Sequence, residues 1–255
     1  MIVAGIVQVR LASQRLRRKA LLDIMGKPLL ERLIERVKYA SRMDKLVVAT
    51  TVLCEDDEIV DLAKRLNVDV FRGPVNDVLK RYVECAGLVN ADVVVRLTGD
   101  NPLTDPILID RAIDHHLRTG VDYTCCKHPG ATLLGTGNEI VSVGTLRKIE
   151  KLAKGSYFRE HVTPFILENP SLFKISFLNG DRIFNREDIR LTVDTEQDLE
   201  LIRKVYAQLS KSENLIDLVD VVNLADSDSE FFKVNVNAEQ KEDSYGKFAG
   251  SGEGY

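Results

Sequence analysis

The sequence predicts an α/β fold, a three-layer sandwich with a mostly parallel central sheet. Two observations carry this. Short apolar, β-branched runs alternate with helix-patterned segments over the first half of the chain, and such alternation builds a parallel sheet with helices on both faces. A chain of 255 residues is also long enough to bury one α/β core without disulfides or metals.

The elements follow in order. Ile2 to Val9 is a buried-strand run, and Leu29, Leu30, Leu33, Ile34 and Val37 give residues 28–40 helical spacing. Strands are expected at 46–51, 68–71, 92–97 and 122–125, with helices at 56–66, 77–89 and 105–118 between them. Acidic residues in the first turn of 56–66 complement its dipole, and Pro106 suits a first helical position. After Cys126 the alternation breaks. Residues 127–138 are a Gly-rich loop, 139–188 mix short elements with a helix around 159–168, and 189–193 read as a return strand. Helices are expected at 195–209 and 213–225. The domain therefore spans 1–225, and the polar, acidic, Gly-rich residues 226–255 read as a tail or docking arm.

Composition narrows the classes. A net charge of -4 argues against a nucleic-acid binder. No run of 18 apolar residues exists to span a membrane. The charges near the N-terminus follow its apolar run rather than precede it, unlike a signal peptide. Cys54, Cys85, Cys125 and Cys126 form neither a CxxC pair nor a disulfide framework. A reducing, cytoplasmic setting fits these features.

In open α/β sheets ligands bind outside the carboxyl ends of the strands, so the chemistry is sought there. The loop after the first strand carries Arg10, Ser13, Arg15, Arg17, Arg18 and Lys19, five cations and a hydroxyl within residues 10–19. Arg forks and Lys charges recognise polyphosphates. Neither GxxxxGK[ST] nor GxGxxG is present, which disfavours P-loop and dinucleotide chemistry. The fourth strand runs into Thr98-Gly99-Asp100-Asn101-Pro102, placing Asp100 where it can hold Mg²⁺ against a phosphate or cap the turn. The return strand runs into Asp194-Thr195-Glu196, where Asp194 is a second acid at a strand end or a helix cap. His115, His116, His128 and His161 lack zinc spacing, and no GxSxG is present. Glu139, beside the Gly-rich loop, is open to a sugar hydroxyl or to a surface role.

These blocks resemble a known family. The opening IVQVRLASQRLRRKALLDIMGKPLLERLIERV is similar to that of the spore-coat polysaccharide cytidylyltransferases, relatives of CMP-sialic acid and CMP-Kdo synthetases. VVATT, VFRGPVNDVLKRY, VVRLTGDNPLTDPILID, REHVTPFILENP and RLTVDTEQDLELI match further blocks in the same order. The resemblance implies a Rossmann-like (GT-A-like) nucleotidyltransferase, usually dimeric, using CTP and Mg²⁺. It assigns Arg10, Ser13, Arg15 and Lys19 to the triphosphate, Asp100 and Asp194 to the metal, and Gln8, Ala49, Arg72, Asp77 and Thr98 to the nucleotide pocket. It gives residues 127–188 to the sugar and the homodimer contact, with Glu139 on the sugar. Arg17-Arg18 stand where the family usually has Pro-Gly, and Gly137 stands where it tends to have an acid.

The reaction expected is attack by a hydroxyl of an acidic sugar on the α-phosphate of CTP, releasing pyrophosphate. Arg10, Arg15, Lys19 and Asp100 carry the catalysis. A nucleotide-sugar-dependent glycosyltransferase and a non-catalytic nucleotide-binding module stay open beside it.

Overall fold

A computed structural model describes residues 1–13, 15–126, 132–210, 215–228 and 230–235. His128, the first residues of the Gly-rich loop, 213–214 of the expected last helix and 236–255 of the expected tail lie outside them.

The chain begins with β1 (Val3–Gln8), a short 3-10 turn, and a small hairpin of β2 (Asp23–Ile24) and β3 (Lys27–Pro28). Met25 (φ 52°) and Gly26 (φ 82°) close that hairpin, the paired positive φ angles of a type I′ turn. Then come α1 (Leu29–Val37), β4 (Lys45–Thr51), α2 (Asp57–Arg65), β5 (Asp69–Gly73), α3 (Val78–Leu88), β6 (Val93–Thr98), α4 (Pro106–Thr119) and β7 (Tyr123–Cys125). The second half adds β8 (Glu139–Ser142), α5 (Val143–Leu152), α6 (Ser156–His161), α7 (Pro164–Glu168), β9 (Ile175–Phe177), α8 (Glu196–Leu209) and α9 (Leu218–Ser227).

Seven strands form one sheet in the order β5-β4-β1-β6-β8-β7-β9. Only β8 runs against the others, wedged between β6 and β7. The α/β sandwich with a mostly parallel sheet is therefore present. Leu30, Leu33 and Ile34 of α1, Ile59 and Leu62 of α2 and Ile109 and Ile113 of α4 cover one face. Leu79 and Tyr82 of α3 and Leu146 and Ile149 of α5 cover the other. A third cluster joins α8 and α9 to Leu16, Ile24 and Leu29. Local chemistry sets the helix ends: the Asp105 carboxylate accepts from Ile107 N at 2.9 Å, Gly120 ends α4 in the left-handed conformation, and Thr195 and Asp198 form a capping box on α8.

Four expectations are corrected. Residues 189–193 are not a strand: β8 already occupies the edge of β6, so the segment leans on loops. Leu191 N donates to Leu134 O at 2.7 Å and Val193 N to Asp100 O at 2.9 Å. The helix around 159–168 is two, α6 and α7, broken where Val162 takes φ 70° ahead of Pro164. The last helix starts at Leu218 and runs to Ser227. Residues 226–228 and 230–235 of the expected tail belong to the fold: 226–227 end α9, and a 3-10 segment, Phe231–Asn235, buries Phe232 and Asn235.

Candidate active site

The first loop leaves β1 beside β4 and β6 and is tied down from below. Asp56 has no exposed surface, and its carboxylate accepts from Leu11 N at 2.8 Å, from Thr51 N at 3.2 Å and from the Thr51 hydroxyl. A buried carboxylate satisfied by three donors is a strong anchor. Arg18 sits in the left-handed region (φ 55°), its N–H bonded to Leu11 O at 3.2 Å, and starts the turn that carries Lys19.

Asp100 is delivered by the turn after β6. Gly99 is required there, because an added Cβ would lie 2.8 Å from the Val9 side chain. Asp194 is delivered by the extended 189–193 segment. The two acid-bearing segments are bonded directly, Val193 N to Asp100 O at 2.9 Å, and the Tyr206 hydroxyl of α8 donates to Pro102 O at 2.9 Å. Gly135 (φ 97°) lets the Gly-rich loop touch this segment, since an added Cβ would stand 2.3 Å from Thr192 N.

These elements converge on one cluster. Lys19 Nζ lies 3.0 Å from Asp100 Oδ2, 3.0 Å from Asp194 Oδ1 and 3.0 Å from Val193 O. Arg15 Nη2 lies 2.8 Å from Asp194 Oδ1. Burial opposes the charge on Lys19, but the Asp100 and Asp194 carboxylates outweigh it and hold the ammonium above its ordinary pKa. An ammonium shared by two carboxylates is a stand-in cation, and carboxylate oxygens are the donors that Mg²⁺ takes. The two carboxylates therefore form a donor set that fits a divalent ion.

Behind Asp194 lies a second ionic layer. Arg190 donates to Asp194 Oδ2 at 3.2 Å and to Asp198 Oδ1 at 2.9 Å. Burial pushes against ionised Asp198, yet Arg190, the Asp194 N–H and Asn235 together hold its carboxyl below the usual range.

The other expected residues are distributed around this centre. Arg10 bonds Glu160 of α6 at 2.9 Å and Val75 O at 3.3 Å. Asp77 caps α3 and binds Arg159 Nε at 2.9 Å. The first pair ties α6 to the loop after β1 and the second ties it to the start of α3. Arg81 lies beside them, buried, with Nη1 lacking a hydrogen-bond partner; burial and then the neighbouring Arg10 charge lower its pKa. Gln8 ends β1 in register with Ala49 and Thr98, and its Oε1 is likewise buried without a partner. Thr98 Oγ1 accepts from Asn101 at 2.9 Å. Ser13 is half-buried, its N–H turned to Leu11 O at 2.7 Å.

Three residues stand apart from the cluster. Arg72 faces the 51–57 loop, bonding Thr51 O at 2.9 Å, Leu53 O at 2.7 Å and Asp57 at 2.6 Å. Arg18 is turned outward to Glu58 at 2.6 Å. Glu139 is not a surface residue: it has no exposed area, lies 2.6 Å from Arg96 and accepts from the Tyr123 hydroxyl at 2.5 Å. Its carboxylate stabilises the inserted strand β8 from within the sheet. Burial raises the Cys85 thiol to about 12, and Cys125 and Cys126 are fully buried, so these three cysteines are inert.

Asp56, Glu160, Arg190, Asp198 and Asn235 belong to the site's framework but were not expected from sequence. Asp56 and Asp198 stand in acidic helix starts, where a cap and a buried anchor look alike. Asn235 stands in a polar stretch that carries no periodic signal.

A mostly parallel α/β sheet with a basic loop beyond β1 and two acids gathered against it is the arrangement of a nucleotidyltransferase. The cytidylyltransferase family model matches residues 4–221, and the chain belongs to that family of CTP-dependent enzymes. It is 36% identical over 206 residues to the spore coat polysaccharide biosynthesis protein SpsF of Bacillus subtilis, covering 79% of this chain and 85% of that protein. It is 36% identical over 118 residues to the 3-deoxy-manno-octulosonate cytidylyltransferase of Geotalea uraniireducens, covering 44% of this chain and 43% of that one. A cytidylyltransferase structure from Leptospira borgpetersenii superposes with a TM-score of 0.86 at 28% identity, covering 95% of this chain and 100% of that chain. Among the described residues no helix is long and apolar enough to cross a membrane.

Proposed function

We propose that this chain transfers CMP from CTP to an acidic sugar, releasing pyrophosphate, as a cytoplasmic, Mg²⁺-dependent homodimer that serves cell-surface polysaccharide synthesis. The observation that carries the chemistry is Lys19 Nζ at 3.0 Å from both Asp100 and Asp194. The likeness to SpsF supports the polysaccharide setting. The partial likeness to a 3-deoxy-manno-octulosonate cytidylyltransferase supports an acidic acceptor.

The chain's residues act by position and charge. Arg15 and Lys19 move from the acids to the β- and γ-phosphates, and Arg10 leaves Glu160 to join them. Asp100 and Asp194 would hold the divalent ion, and a bound ion would supply charge neutralisation at the phosphate oxygens. Gln8, Ala49, Thr98, Arg72 and Asp77 border the nucleoside. A sugar hydroxyl oxygen bonds to the α-phosphorus, the bond from that phosphorus to the bridging oxygen breaks, and the hydroxyl proton passes to solvent. No protein nucleophile is needed, and catalysis is orientation plus electrostatic stabilisation.

The test is thermal unfolding with CTP, UTP, GTP, ATP and UDP-glucose, each with and without Mg²⁺, followed by pyrophosphate release on a panel of acidic sugars. A ligand at ~100 times its Kd adds roughly 2.7 kcal/mol. CTP with Mg²⁺ should give the largest shift, and an acidic sugar should release pyrophosphate. A shift with UDP-glucose alone, or free nucleoside diphosphate as product, would replace this reading with glycosyl transfer.

A further inference from the structure

Asn235 lies beyond residues 4–221 covered by the family model, in a segment whose composition marks it as a tail. It is nonetheless 3% exposed. Its Nδ2 donates to Asp198 Oδ1 at 2.8 Å and to Arg190 O at 3.1 Å. Phe232, three residues before it, is buried against α8 and α9 and fastens the segment by apolar contact.

What Asn235 grips is the support of Asp194. Asp198 has no exposed surface, and its Oδ2 accepts from Asp194 N at 2.9 Å and Thr195 N at 3.0 Å. Arg190 spans the same acids, meeting Asp198 Oδ1 at 2.9 Å and Asp194 Oδ2 at 3.2 Å. Asp198 thus fixes the Asp194 backbone and Arg190 fixes its carboxylate. Asn235 supplies the remaining donor to Asp198 and takes up the Arg190 carbonyl. Without it, a buried carboxylate and a buried carbonyl each lose a partner, and both belong to the layer that aims Asp194 at Lys19 and Asp100.

We infer that Asn235 is a positioning residue. It locks the Arg190–Asp198 pair, thereby orienting Asp194 and setting the affinity of the Asp100–Asp194 acids for their divalent cation. This rests on the metal role of Asp194 proposed above. Residues that orient a metal ligand in this way are commonly worth about 10–100-fold in metal affinity.

The experiment titrates Mn²⁺ into the full chain at saturating CTP, and separately measures CTP binding without metal. Asn235→Ala should raise the Mn²⁺ Kd about tenfold while leaving metal-free CTP binding unchanged. Asn235→Ser, which keeps a donor toward Asp198, should fall between the two. A folded Asn235→Ala with the wild-type Mn²⁺ Kd overturns the inference. If Asn235→Ala does not fold, Asn235→Ser decides by the same Kd. A wild-type chain without metal-dependent CTP binding overturns the function proposed above and this inference with it. An intact wild-type response with unchanged variants overturns this inference alone.

Discussion

Lys19 Nζ lies 3.0 Å from Asp100 Oδ2 although 81 residues separate them. The contact closes over the ends of two adjacent parallel strands, β1 and β6, and brings the proposed phosphate-binding cation against the proposed metal-binding acid. Lys19 keeps 15% of its side chain exposed and also meets Asp194, so removing the Asp100 charge strands no fully buried partner. Asp100→Asn should therefore keep its fold, with stability changed by no more than about 1 kcal/mol, while turnover falls at least about a hundredfold. Circular dichroism with a pyrophosphate-release assay checks this. A folded variant with near-full turnover removes Asp100 from the metal site.

Glu139 and Arg96 form a buried ion pair inside the sheet. Removing one partner of such a pair leaves an uncompensated charge and costs about 3–5 kcal/mol. Glu139→Ala should lower the urea midpoint accordingly. If stability holds and only the KM for the sugar rises, Glu139 touches the acceptor after all.

His116 of α4 is buried, with Nδ1 3.1 Å from the Thr124 hydroxyl. Burial is the main cause that lowers its pKa from the usual 6.5 to about 4; the His115 charge adds to it and Asp122 opposes it. The folded state thus binds this proton less readily than the unfolded state. Stability from this group is complete above pH 6.5 and is lost as pH falls toward 4. The loss amounts to about 3 kcal/mol, at 1.36 kcal/mol per unit. His116→Gln should flatten the stability profile across that window. An unchanged slope in urea melts between those pH values assigns the dependence to other groups.

The α/β alternation, the basic loop and Asp100 were legible because they depend on local pattern and on where parallel strands end; the strand expected to deliver Asp194 does not form. The helix expected around 159–168 failed because Pro164 starts a new helix and the chain turns at Val162 (φ 70°, ψ −72°) ahead of it, a breaker that the helical spacing alone does not reveal. Residues 189–193 have a strand's apolar content, and Ile189, Leu191 and Val193 are all buried. The segment stays irregular because no free sheet edge faces it.

The sequence by itself determined the class of fold, the family, and the residue types gathered at the strand ends, since periodicity, turn residues and charge are written locally. Tertiary structure alone decided which charges meet. It turned Arg15 and Lys19 inward and Arg18 outward from one basic loop, sank Glu139 into the sheet, and drew Asn235 from an apparent tail to the back of Asp194. The reason is physical. A charge's worth depends on burial and on partners far away in the chain, and only the closed fold sets those.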